Sequence, residues 1–296
     1  MILTHRKNTK ILLDRLKDCD LCPRECHVDR TMGETGICGQ TDKIKVSSAN
    51  LHFGEEPPIS GFNGSGTIFL TGCNLNCVYC QNYPISQMQN GREVSPLTLV
   101  DSMLRLQELG AHNINFVTPT HFNAQIADAI VAARDRGLKI PIVYNSSGYD
   151  RVEVLRMMEG LIEIYMPDMR YGDENAAQCY SSAADYPRIN RAAVAEMHRQ
   201  VGDLQTDENE VATRGLLIRH LVLPNNLSRS EEIFKFISEK ISPDTYISLM
   251  SQYFPAFRAN EYPQISRRIT KKEYAVAKKL MEKYNLSNGW FQDEIL

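Results

Sequence analysis

The 296-residue chain carries 33 Lys+Arg against 36 Asp+Glu, a formal net charge of −3, with 43% hydrophobic and 23% charged residues. This composition suits a folded protein, one large domain or one plus a small appendage, and excludes a disordered chain. The near-neutral balance argues against a broad nucleic-acid surface, and no apolar run approaches the ~18–20 residues of a membrane helix.

The N-terminal stretch MILTHRKNTKILLDRLKD interleaves charges with apolar residues and has no signal-peptide core, which points to a cytoplasmic chain. Residues 1–60 read as irregular and turn-rich, with Gly33, Gly36 and Gly39 supplying tight turns. A Pro/Gly-rich loop, GEEPPISGFNGSG, follows at 54–66. The pattern then alternates. Strands are predicted at 66–72, 113–117, 140–145, 161–168, 215–224 and 244–253. Helices are predicted between them: one opened by Ser95-Pro96, one over 123–136 closed by Gly137, and one capped by Asp150 with Glu153. Others cover 192–202 and SRSEEIFKFISEK, and Thr270 with Glu273 caps the last long helix. Six βα repetitions with apolar strands imply a parallel α/β sheet covered by helices, either doubly wound or barrel-like. Function in such sheets gathers at the C-terminal ends of the strands.

Eight cysteines in a reducing compartment favour metal or redox chemistry over disulfides. Cys73-x3-Cys77-x2-Cys80 lies just past the first strand. Three thiolates can hold three irons of a [4Fe–4S] cube and leave the fourth without a protein ligand. An iron open in this way can bind the amine and carboxylate of S-adenosylmethionine (SAM), whose sulfonium one electron cleaves to methionine and a 5′-deoxyadenosyl radical. Tyr79 offers an aromatic face beside the nucleoside. The competing reading is a zinc site completed by His121 or His220, although structural zinc favours paired short spacings. Cys19, Cys22, Cys26 and Cys38, spaced C-x2-C-x3-C-x11-C, form a complete ligand set for zinc or a second [4Fe–4S] cluster. Cys179 stands alone and reads as a small buried hydrophobe.

GCNLNCVYCQN and its place in the βα series resemble the radical SAM superfamily. HFGEEPPISGFNGSGTIFLTGCNLNCVYCQN, GAHNINFVTPTH, PIVYNSSGY and RHLVLP resemble its pyruvate formate-lyase activating-enzyme-like branch, in members with an N-terminal cysteine block. The resemblance implies a partial (β/α)6 barrel over 61–296, preceded by a small irregular cysteine-rich metal-binding segment over 1–60. It implies Cys73, Cys77 and Cys80 as cluster ligands. Thr120 stands where the superfamily's Gly-Gly-Glu-type element holds the SAM amine. Asn145 and Ser147 match the position that bonds the ribose. Asp168 and Arg170 resemble an Asp-x-Lys element at the end of strand four. Arg219 rather than His220 is expected to face the interior and take the SAM carboxylate, and Gln252 sits where activating enzymes often place a His.

The implied chemistry is hydrogen abstraction by a radical SAM oxidoreductase fed by an electron donor such as flavodoxin or ferredoxin. A glycyl radical enzyme is the expected partner; no membrane or nucleic-acid partner is. The loop 54–66 and residues 171–190 are then expected to border the access route. Radical chemistry on a small molecule or peptide is the alternative, and a zinc-stabilised, non-redox binding protein the remote one.

Overall fold

The computed structural model describes residues 2–292. Ten strands among them form one sheet: β1 (Lys45–His52), β2 (Ser65–Leu70), β3 (Arg92–Glu93), β4 (Ile114–Val117), β5 (Ile142–Ser146), β6 (Ile164–Pro167), β7 (Gln205–Thr206), β8 (Ala212–Leu221), β9 (Tyr246–Met250) and β10 (Gly289–Phe291). The order is β10-β9-β8-β6-β5-β4-β2-β1-β3, with β7 paired to β8. From β2 to β10 neighbours along this path run parallel; β1 pairs antiparallel with β2 and with β3. The six predicted strands are β2, β4, β5, β6, β8 and β9, with ends shifted by a few residues. No helix among the described residues is long and apolar enough to cross a membrane.

Both faces of the parallel strands are buried, and alternation sorts their side chains into two cores. Ile114, Phe116, Tyr144, Tyr165, Leu216, Ile218 and Leu249 join the main core under the helices. Val143, Ile164, Met166 and Leu217 point the other way and form a second core with Ala212 and Ile59. Ile59 sits in the one-turn helix Pro57–Ser60, so the loop between β1 and β2 fills the concave side of the curled sheet.

Residues 1–60 are more regular than predicted. The helix Ile2–Asp14 packs against the helix Asn123–Asp135, and β1 extends the sheet. The pattern hid β1 because it is an edge-side strand with largely polar, partly exposed residues. Among the caps, Ser95 accepts from the Thr98 amide at 3.0 Å and Thr270 with Glu273 forms a full capping box. Asp150 does not cap: the N-cap of the helix Val152–Met157 is Arg151, without a side-chain bond. The Asp150 carboxylate is instead buried and accepts from Tyr144 Oη and Ser146 Oγ, both at 2.7 Å. A tertiary pair of hydroxyls outcompetes the local cap. Cys179 is exposed, not buried, near the end of the helix Glu174–Ser181.

Candidate metal and SAM site

β2 ends at Leu70, and the chain turns at Gly72, where φ is +77°. A side chain there would meet the Cys38 carbonyl oxygen at 2.6 Å and Gln40 Nε2 at 2.7 Å, so glycine is required twice over. Asn74 then anchors the loop by donating to the Tyr149 carbonyl at 2.8 Å. The three thiols follow on this one loop at the C-terminal end of the sheet.

Each sulfur has a donor group beside it. Arg170 Nη1 and Ser181 Oγ both donate to Cys77 Sγ at 3.0 Å, the Leu75 amide donates to Cys73 Sγ at 3.4 Å, and Ser86 Oγ lies 3.1 Å from Cys80 Sγ. Burial pushes the Cys73 thiol up to about 12 and raises Cys80 as well. A cluster of neutral buried thiols gains little from such donors; thiolates bound to iron gain a great deal. These residues therefore fit a [4Fe–4S] cluster with three protein ligands.

From Cys77 a line of charge runs across the mouth of the sheet. Arg170 Nη2 is 2.6 Å from Asp168 Oδ2, and Arg219 Nη2 is 2.8 Å from Asp168 Oδ1. Burial alone would raise the Asp168 carboxyl; Arg219 and Arg170 outweigh it and hold the group below the ordinary carboxylate range. Arg219 and His220 take opposite faces, as alternation requires. His220 is buried on the helix side between the Met169 carbonyl (2.7 Å) and Ser230 Oγ (2.9 Å), and burial brings it down to about 4.

Beside this line opens a cleft of about 160 Å³, bordered by Tyr79, Cys80, Asp168, Arg170, Arg219 and Gln252 among others. Tyr79 is buried under it, with Tyr171 Oη donating to its hydroxyl at 2.6 Å. Asn145 and Ser147 are buried at the end of β5 and do not themselves border the cleft. Asn145 lies opposite to Tyr144 in the alternation, level with Met166, and Ser147 Oγ accepts from the Tyr149 amide. Thr120 is not brought to the cleft. It is buried against Tyr144 and Asp150, on the helix side of the sheet. Thr118, just before Pro119, is the strained residue of that turn, a β-branched residue at φ +61°.

Sequence reasoning missed Glu55 and Glu56. They read as polar members of a loop, yet their side chains are 8% and 5% exposed and lie 3.9 and 4.0 Å from Arg219. Around them Glu56 Oε2 and Ser248 Oγ are buried with no hydrogen-bond partner among the described residues, and the Asn115 amide lies buried beside Glu55. Residues 171–190 also sit closer than a border: Tyr171 and Ser181 touch Tyr79 and Cys77.

Burial pushes Glu55 up to about 7; Arg219 pulls against this and Glu56 adds to it. A carboxyl raised in the native state weakens the fold as pH rises from its ordinary 4.5 through 7. Glu55→Gln is therefore expected to raise stability by about 3 kcal/mol at pH 8 and by less than about 1 kcal/mol at pH 5. Urea unfolding at the two pH values measures this; an equal effect at both would refute it.

Cys19, Cys22, Cys26 and Cys38 line a second, much tighter cavity of about 10 Å³, together with Arg30 and His121. His121 Nε2 is 2.8 Å from the Thr71 carbonyl; burial, aided by Arg30, lowers its pKa to about 3.

A sequence model of the Radical SAM superfamily matches residues 67–237, more than half of the chain. An uncharacterized protein of Methanocaldococcus jannaschii is 32% identical over 279 residues, covering 91% of this chain and 76% of its own. A second uncharacterized protein of that organism is 28% identical over 157 residues, 47% of this chain and 46% of its own. Among solved structures, the [FeFe]-hydrogenase maturase HydG shares the fold with a TM-score of 0.50 at 13% identity, covering 76% of this chain and 50% of that one. The chain belongs to the radical SAM superfamily, whose chemistry requires a [4Fe–4S] cluster and SAM.

Proposed function

We propose that this chain cleaves SAM reductively and abstracts a hydrogen atom from a substrate held in the cleft. Cys73, Cys77 and Cys80 are the cluster ligands. Bound there, the cluster supplies the electron that breaks the sulfonium bond. Tyr79, Asn145, Ser147, Asp168, Arg170 and Arg219 are the SAM-facing groups in this reading. Arg219 takes a carboxylate, and Asn145 and Ser147 bond hydroxyls. Arg170 keeps its charge on Cys77, and Asp168 fixes both guanidinium groups. Thr120, turned to the helix side, is left out. The observation that carries the reading is the continuous contact line Cys77–Arg170–Asp168–Arg219, which joins the three-thiol loop to an arginine that borders the cleft.

Within that chemistry, likeness to the pyruvate formate-lyase activating enzymes favours a glycine of a partner protein as hydrogen donor, with flavodoxin or ferredoxin supplying electrons. The unpartnered Ser248 and Glu56 atoms favour a second reading, a small polar molecule or peptide that reaches the interior. The N-terminal thiols hold zinc or a second [4Fe–4S] cluster.

Anaerobic reconstitution with iron and sulfide, reduction, and addition of SAM is expected to yield 5′-deoxyadenosine. Deuterium carried into it from a labelled partner protein or from small polar candidates identifies the donor. A fully loaded, reduced protein that leaves SAM intact would refute the proposal.

A further inference from the structure

The four-thiol cavity is built into the cluster loop from both sides of Cys73. Arg24 Nε donates to the Asn74 carbonyl at 2.8 Å, and its Nη1 to the Ser182 carbonyl at 2.6 Å. On the other side Arg30 Nη1 donates to the His121 carbonyl at 2.6 Å, and the His121 ring reaches the Thr71 carbonyl. The Cys38 carbonyl closes on Gly72 so tightly that no side chain fits between them.

Two features of the cavity ask for a bound group. The first is charge. Arg30 is 1% exposed, and its donors go to the Thr41 and His121 carbonyls and, at 3.8 Å, to Cys19 Sγ. No carboxylate is among these partners. A guanidinium stays charged, and a buried charge needs an opposite one. Metal-bound thiolates at this cavity supply it. The second is His121. A carbonyl only accepts, so Nε2 carries the proton toward Thr71 and Nδ1 is a bare lone pair. That atom is buried, without a hydrogen-bond partner among the described residues, on a residue that borders the cavity, and is left open for a donor.

We infer that Cys19, Cys22, Cys26 and Cys38 hold an anionic metal centre whose presence locks the Cys73–Cys80 loop in its ligating shape, so that retention of the open cluster depends on the N-terminal centre. The inference rests on the reading of Cys73, Cys77 and Cys80 as cluster ligands. Arg24 and Arg30 are positioning residues in it, and His121 is the joint between the two sites.

The test uses the full chain, handled anaerobically, with zinc, iron and sulfide counted per chain and iron release to a chelator followed in time. The Cys22→Ala, Cys26→Ala double variant is expected to lose the N-terminal metal and to release the remaining iron roughly tenfold faster than wild type. The Cys73→Ala, Cys77→Ala, Cys80→Ala triple variant is expected to keep the N-terminal metal. Arg24→Met leaves all seven thiols in place. It is expected to keep the N-terminal metal and still speed iron release roughly tenfold, and it decides the matter if the double variant does not fold. Metal counting tells zinc from iron–sulfur. Unchanged iron release in Arg24→Met, or a wild-type chain without metal at the four thiols, overturns the inference. A wild-type iron centre whose paramagnetic resonance signal ignores SAM overturns instead the reading of the Cys73–Cys80 loop.

Discussion

Cys77→Ala is expected to lower 5′-deoxyadenosine formation by more than roughly 100-fold, beyond the loss that groups outside the ligand set produce. The three thiols share one loop, but Cys77 is the one at which the site converges. It receives Arg170 and Ser181 at once, and through Arg170 it connects to Asp168 and Arg219. On the proposed reading, removing its sulfur takes a ligand from iron, and it leaves Arg170 facing a methyl group. Iron and sulfide content should fall along with activity, and the brown colour of the anaerobic protein should fade. Cys179→Ala is the control. That thiol is exposed on another element, and its loss is expected to leave cluster content and 5′-deoxyadenosine yield unchanged. Retention of wild-type activity in Cys77→Ala would remove this loop from the chemistry.

Much of this site was legible in the sequence because its signals are local. The thiol spacing is written in eight consecutive residues, and the period-2 alternation that separates Arg219 from His220 survives folding unchanged. The six parallel strands announce themselves as apolar runs because both of their faces are buried. What escaped depends on partners distant in sequence. Glu55 and Glu56 look like loop surface until Ile59 carries their loop into the concave side of the sheet, against an arginine more than 160 residues away. Asp150 has the spacing of a cap, but β5 offers it two hydroxyls in the interior. Thr120 stands at the expected strand end, yet the one-turn helix Thr120–Phe122 buries it on the wrong side for the cleft. The helix Ile2–Asp14 is weakly patterned and is held by its contact with the helix Asn123–Asp135 rather than by its own sequence.

Asp168→Asn keeps the shape of the site and removes the carboxylate that bridges its two guanidinium groups. The carboxylate is 6% exposed and gives one oxygen to each arginine. Without it both cations stay half-buried, 23% and 20% exposed. Breaking a fully buried pair costs about 3–5 kcal/mol, and solvent at these arginines brings the expected loss below that. Arg219 retains Glu55 and Glu56 near 4 Å, whereas Arg170 retains only Cys77. The loss should therefore be larger in protein stripped of iron than in protein whose Cys77 is a ligating thiolate, and urea unfolding of the two forms compares them directly. The wild-type carboxyl also sets a pH dependence. Its native pKa lies below the ordinary 3.8, so its contribution is complete above about pH 4 and disappears as pH falls through the depressed native value. Asp168→Asn has no such proton to take up. Iron-free wild type should lose its stability advantage over the variant in acid below pH 4 and hold it at neutral pH. A constant difference between the two across that range would mean that Asp168 is not the ionised bridge between Arg170 and Arg219.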